Sequence, residues 1–345
     1  MKLTDLARAT PLLPLLLAAP AAAGEPGEMR SFGDWIAGCD NRLSCTAIGL
    51  SPEAAPVFAY LKVAREAGAQ AEPTVSVSIL DQLETGGPIG LALPDGTLPV
   101  TSLDVPEGAD TSFAAAELGD VDHGAFLDAL LPASVLDVSL GGDTVPVSLE
   151  GLSAALRYMD DVQGRAGGLT ALVAKGEAAA DSVTPAPPPV TVTAQPLSEI
   201  AEPGERPAAL GAPEEYCPDN LDDLVFEAAD GTRLWGVCSS AGAYNLSYDF
   251  WIVRDGTAEP ADFGAFGQGF SGDGTSTLVN PTLMEDGLTI TAFARGRGLG
   301  DCGAIASWAM DAGAPTLVES AVMGECRGVM PDDWPVLYRA ELSTE

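Results

Sequence analysis

Apolar and polar positions alternate with a period of two along much of the chain. Val75, Val77 and Ile79 are separated by Ser76 and Ser78, the pattern of a strand with one buried face. Similar runs predict strands over 57–65, 74–80, 89–93 and 98–105, broken by Gly86-Gly87-Pro88 and Pro94-Asp95-Gly96. Ahead of them, Phe32-Gly33-Asp34-Trp35-Ile36-Ala37-Gly38-Cys39 and Cys45-Thr46-Ala47-Ile48-Gly49-Leu50 flank the polar stretch 40–44. Asp and Asn tolerate turn geometry, so this reads as a hairpin clipped by its own disulfide.

Near residue 122 the period lengthens. Phe126, Leu127, Leu130 and Leu131 recur at helical spacing, with Asp122 as cap and Pro132 as stop. Strands over 135–140 and 144–149 follow, turned by Gly141-Gly142-Asp143. A second helical stripe of Leu152, Ala155, Leu156, Met159 and Val162 ends near Gly164. Residues 165–207 lose periodicity and carry Pro185-Ala186-Pro187-Pro188-Pro189, the composition of an extended linker. Within it Val190-Thr191-Val192 suits an edge strand. Beyond 208, strands are predicted at 222–227, 233–238, 244–254, 288–294, 305–310 and 317–325, with Asp-Gly turns at 230, 255 and 286. The expected fold is mainly β: a β-rich α+β domain over 24–164 with two helices, a Pro-rich linker over 165–207, and an all-β sandwich or barrel over 208–345.

Charge narrows the function classes. The chain carries 50 acidic and 16 basic residues, a net charge of −34. The excess is spread evenly: residues 24–164 hold 22 acids against 5 bases, and 208–345 hold 22 against 6. Such a surface repels phosphate backbones and anionic lipid, so nucleic acid is not an expected partner. It attracts basic proteins and divalent cations. Residues 1–23 read as a cleavable signal peptide: Lys2 and Arg8, a short apolar run at 12–19, and Ala21-Ala22-Ala23 before the cut. No later run reaches transmembrane length. The expected location is periplasmic or secreted.

Six cysteines agree with export. They allow 15 pairings. Short-range pairing is expected, Cys39–Cys45, Cys217–Cys238 and Cys302–Cys326, each inside one domain. Zinc is the competing use of such residues, but their spacings match no zinc knuckle and His123 is the sole histidine. No metal or cofactor is expected.

Several short blocks occur in the order found in one family of bacterial exported proteins. They are Phe32-Gly33-Asp34-Trp35 with Cys39-Asp40-Asn41 and Cys45; Ser148-Leu149-Glu150-Gly151-Leu152 through Arg157-Tyr158-Met159-Asp160-Asp161-Val162-Gln163-Gly164-Arg165; Gly298-Leu299-Gly300-Asp301-Cys302-Gly303; and Cys326-Arg327-Gly328 with Trp334-Pro335. The chain resembles the family catalogued as domain of unknown function 1176. The first block by itself is also similar to invasion-associated proteins with the same tryptophan–cysteine opening. The resemblance implies an envelope location and supplies no reaction, so no catalytic residues are carried over.

Candidate chemistry is sparse. His123, beside Asp120 and Asp122, would have to serve any histidine-based triad or facial metal site, and a solvated helix start is its plainer role. Gly296-Arg297-Gly298-Leu299-Gly300-Asp301 departs from the dinucleotide fingerprint, which needs its third glycine where Asp301 stands. Asp273-Gly274 lies in a glycine-rich stretch but lacks the ladder of a calcium loop. The five tryptophans fall mostly within apolar strands and are expected in the core. Two groups stand out in a chain with few arginines. Arg157 and Asp161 share a helix face at a spacing that permits pairing, with Asp160, Gln163 and Arg165 close by. Arg295, Arg297 and Arg327 gather near Asp301 and two cysteines. Either group suits an anion or carboxylate site built from guanidinium forks, or simply neutralises nearby acids. The expected function is non-catalytic binding of a basic protein or a cell-wall component in the envelope, for instance inhibition of a basic wall-degrading enzyme. The alternatives are a carboxylate-dependent hydrolase of envelope glycans and a cation-stabilised structural protein.

Overall fold

The computed structural model describes residues 25–80, 86–94, 96–106, 113–219, 221–264 and 275–344. The expected signal peptide, most of the glycine-aromatic stretch 263–270 and Asp273-Gly274 lie outside these residues.

Four β-sheets stack in succession. The first holds Asp143–Ser148, Val135–Leu140, Ile89–Ala92 and Ser102–Leu103 in that order. The second runs Met29–Phe32, Trp35–Cys39, Cys45–Leu50, Ala59–Arg65, Thr74–Leu80 and Phe113–Glu117, all antiparallel. The third runs Val190–Thr193, Val336–Ser343, Ala314–Met323, Gly303–Asp311, Thr289–Arg295 and Thr282–Leu283, with its first pair parallel. The fourth runs Leu197–Glu199, Leu224–Ala228, Arg233–Ala241, Leu246–Arg254 and Thr257–Pro260, and Thr277–Val279 also pairs with Leu246–Arg254. The fold is mainly β.

Alternation explains the stacking. Trp35, Ala37, Leu61, Val63, Val75 and Val77 of the second sheet face the first sheet and both helices, His123–Leu130 and Leu152–Val162. Ile36, Ile48, Leu50 and Tyr60, one residue out of phase, face Cys302, Ala321, Met323, Val329 and Trp334. Ile290, Ala292, Ala306 and Trp308 then turn to Phe226, Leu234, Tyr248 and Phe250 of the fourth sheet. The two middle sheets are thus buried on both faces, which is why Trp35–Cys39 is buried at every position rather than at every second one.

Both helices form as their patterns predict. Asp122 caps the first by accepting from the Ala125 N–H at 2.9 Å. The second starts at Gly151, whose φ of 104° suits glycine, and a Cβ there would lie 1.6 Å from the Phe32 carbonyl oxygen. The segment from 165 to 207 packs at both ends. Leu172 packs into the core of the first two sheets beside the buried Ala171, and Val190–Thr193 joins the third sheet as an edge strand. The strand Val336–Ser343 was not predicted. Its outer half alternates weakly and carries Arg339 and Glu341.

All three short-range disulfides are formed: Cys39–Cys45, Cys217–Cys238 and Cys302–Cys326. Cys39 and Cys45 face each other directly across the hairpin. Trp35, Trp235, Trp308 and Trp334 are buried, and Trp251 is half-buried. Among the described residues no helix is long and apolar enough to cross a membrane.

Candidate functional site

The first group of flagged residues divides at the end of the second helix. Arg157 and Asp161 are both exposed, and no ion pair joins them. Four-residue spacing places side chains within reach, but water competes for both charges. Asp160, Gln163 and Arg165 point inward and are fully buried. Asp160 pairs with Arg65 at 2.8 Å, and its two oxygens accept from the N–H groups of Leu172, Val173 and Ala174 at 2.9, 3.0 and 3.4 Å. Gln163 accepts from Arg65 Nε and Arg165 Nε at 2.7 and 3.2 Å. It donates to the carbonyls of Leu43, Arg65 and Glu66. Burial pushes both guanidinium groups below their usual proton affinity; at Arg65 the carboxylate of Asp160 opposes this. This knot ties the 168–174 loop to the strand Ala59–Arg65 and to the disulfide hairpin. It is sealed from solvent, so its chemistry is structural.

The second group lies where the two middle sheets meet. Arg327 donates from Nη1 to Asp34 at 2.8 Å and to the Ser51 carbonyl at 3.2 Å. Asp301, 1% exposed, is gripped by Arg297 through two bonds, one of 2.7 Å, and accepts from the Gly328 N–H at 2.7 Å. Burial works against ionising Asp301, yet Arg297 and Gly328 hold its carboxyl below the usual carboxylate range. Asp34 is held low in the same sense: burial opposes, while Ser148 and Arg327 outweigh it. Nearby, Asp333 takes a bond of 2.6 Å from the Tyr60 hydroxyl and pairs with Lys62. Tyr60 is pushed well above its usual proton affinity by burial and by Asp333. At the far end of the hairpin, burial raises Asp40 against Arg339. Arg339 Nε lies 2.5 Å from that carboxylate without the alignment of a hydrogen bond.

The blocks that carried the family resemblance therefore converge: Asp34 with Arg327, the Asp34 N–H with the Glu150 carbonyl at 3.0 Å, and Asp301 with Gly328. A family described as "Protein of unknown function (DUF1176)" matches residues 29–341. The chain belongs to that family. A relative named "Uncharacterized protein YpfG", from Escherichia coli strain K12, is 29% identical over 360 residues, covering 95% of this chain and 96% of the relative. No solved structure matches. The DUF1176 match takes in both middle sheets and all three disulfides.

One flagged residue of this DUF1176 chain is uncommitted. Among the described residues the Arg295 side chain has no hydrogen bond and no acidic partner; its Nε is buried and unpartnered, and its guanidinium carbon lies 5.1 Å from the centre of the Phe293 ring. Its backbone is fixed, because Arg295 N–H donates to Asn245 Oδ1 at 3.1 Å while Asn245 Nδ2 donates to the Arg295 carbonyl at 2.9 Å. Asn280 braces Asn245 and the Phe293 carbonyl in turn. Beside it the 296–302 turn, closed by Gly296 N–H to the Cys302 carbonyl at 2.8 Å, presents Leu299 at 60% exposure. Tyr244, 41% exposed, covers the other side and bonds the Gly296 carbonyl at 3.4 Å. Arg297, over the Phe58 ring, completes this rim.

His123 Nδ1 and Nε2 face the carbonyls of Pro73 and Gly119 at 2.6 and 3.1 Å. A shallow 440 Å³ cleft there is lined by Glu72, Thr74, Asp120 and Asp122. Among the described residues no three His, Cys, Asp or Glu side chains are grouped to hold a metal ion. Sequence reasoning missed Arg65, Tyr244 and the Asn245–Asn280 brace. Asn245 and Asn280 are 35 residues apart, and no local pattern joins them.

Proposed function

We propose that the chain is an exported, non-catalytic binding protein of the cell envelope, acting in the periplasm or outside the cell after removal of residues 1–23. It recognises a protein or cell-wall component through the rim formed by Tyr244, Arg295, Arg297 and Leu299. Export is supported by the three disulfides. The observation that carries the binding reading is Arg295: a guanidinium without an acid, in a chain with 50 acidic and 16 basic residues. The acids of the knot and of the sheet junction are spent on structure. Asp34, Asp160, Asp301 and Asp333 are each engaged by an arginine or lysine, which favours recognition over acid–base chemistry.

The test is site-specific photocrosslinking in intact cells, with a benzophenone amino acid at position 244 or 299. Adducts to one envelope component at these positions, and not at Leu169 on the distant 168–174 loop, are expected. Adducts indistinguishable from those at position 169 would refute the assignment of the rim.

A further inference from the structure

We infer that the rim receives a carboxylate presented beside an apolar group, as at the free C-terminus of a short peptide. This deepens the binding reading and rests on it.

The argument starts from what Arg295 lacks. A guanidinium is a planar fork whose paired N–H groups match the two oxygens of a carboxylate. Every other arginine at the junction of the middle sheets uses its fork: Arg297 on Asp301, Arg327 on Asp34. Arg295 does not, although acids outnumber bases threefold. Its Nε is buried without a partner, its side chain donates no hydrogen bond among the described residues, and the residue as a whole is half-buried. The Phe293 ring, 5.1 Å from its guanidinium carbon, supports the side chain, and the Asn245 pair of bonds holds its backbone. The donor is therefore positioned before any ligand arrives, which lowers the ordering cost of binding.

The surroundings select among anions. A net charge of −34 repels a polyanion at long range, whereas one compact charge is opposed far less. Tyr244 and Arg295 both border the turn that carries Leu299: a Cβ at Gly298 would lie 3.7 Å from Tyr244 Cδ1, and one at Gly300 3.9 Å from Arg295 Cδ. An anion with an aliphatic neighbour satisfies both the fork and these two side chains. A phosphate satisfies only the fork. The terminal residue of a peptide supplies both features.

The probes are N-acetyl-Ala-Ala-Leu with a free carboxylate, the same peptide as its C-terminal amide, and inorganic phosphate. Each is titrated into the full mature chain while the arginine side-chain Nε–H resonances are followed by NMR. Arg295 is expected to shift along a saturable curve with the acid peptide and not with the amide. Arg295→Gln is expected to weaken binding about tenfold or more, the scale of one lost charge-assisted bond pair, and Arg295→Lys less. Arg295 has no hydrogen bond or ion pair to lose, only its contact with the Phe293 ring, so both variants should melt close to the wild type. Equal binding of acid and amide, stronger binding of phosphate, or no shift with any probe would overturn the inference. Specific crosslinks at 244 and 299 combined with any of these results would leave the rim a binding surface and remove only the carboxylate.

Discussion

Replacing Asp160 by alanine removes the acceptor on which four donors converge: Arg65 Nη2 and the N–H groups of Leu172, Val173 and Ala174. Both charged side chains are about fully buried, at 1% and 0% exposure, so water cannot replace the lost carboxylate. Breaking a buried pair from one side costs about 3–5 kcal/mol, because the remaining charge stays desolvated. The orphaned N–H groups push the loss to the upper part of that range. Arg65→Met should cost less, since Asp160 keeps its three backbone donors. The double variant Arg65→Met/Asp160→Ala should lose less than the sum of the two single variants, as neither member of the pair is left without the other. Urea midpoints followed by tryptophan fluorescence and far-UV circular dichroism measure these differences. A loss below about 1 kcal/mol for Asp160→Ala, or strict additivity in the cycle, would refute the account of the knot.

Further outcomes follow from the same structure. Gly151→Ala must place its Cβ against the Phe32 carbonyl, so a loss well beyond the 1–2 kcal/mol of an ordinary left-handed position is expected; Gly167→Ala, with φ of 79° and open space, should stay within that range. Asp34 and Asp301 have folded proton affinities below those of the unfolded chain, so their stabilisation is complete above the unfolded carboxylate range near pH 4 and is lost as pH falls below it. Arg297→Gln should therefore flatten the acid limb of a plot of urea midpoint against pH. Replacing Cys39 and Cys45 by serine should cost at most about 2.4 kcal/mol, the chain-entropy limit for so short a loop, measured as a shift in midpoint; a larger loss would mean that the bridge does more than close the hairpin.

The sequence was most readable where burial is one-sided and partners are local. Thr74–Leu80, both helices and the three short-range disulfides follow from period, caps and spacing. Trp35–Cys39 was found through its turn and cysteine, not its alternation, because sheets cover it on both sides. What could not be read was long-range: which sheet lies on which, and that Arg65 meets Asp160 across 95 residues. The four-residue spacing rule set Arg157 against Asp161, but both are exposed and do not pair; the acid that is used is the buried Asp160, by Arg65. Arginine scarcity did direct attention to Arg295, but only the structure distinguishes a guanidinium already spent from one left open.

The double-sided second sheet has a consequence for how such a chain is made. Its outward residues Ile36, Leu50 and Tyr60 are covered by Met323, Val329 and Trp334, which are synthesised long after them. Until those residues arrive, the outward face of the hairpin is a bare oily plane. A chain that stops short of Met323 therefore keeps this face uncovered, and should be as damaged as one that stops in the middle.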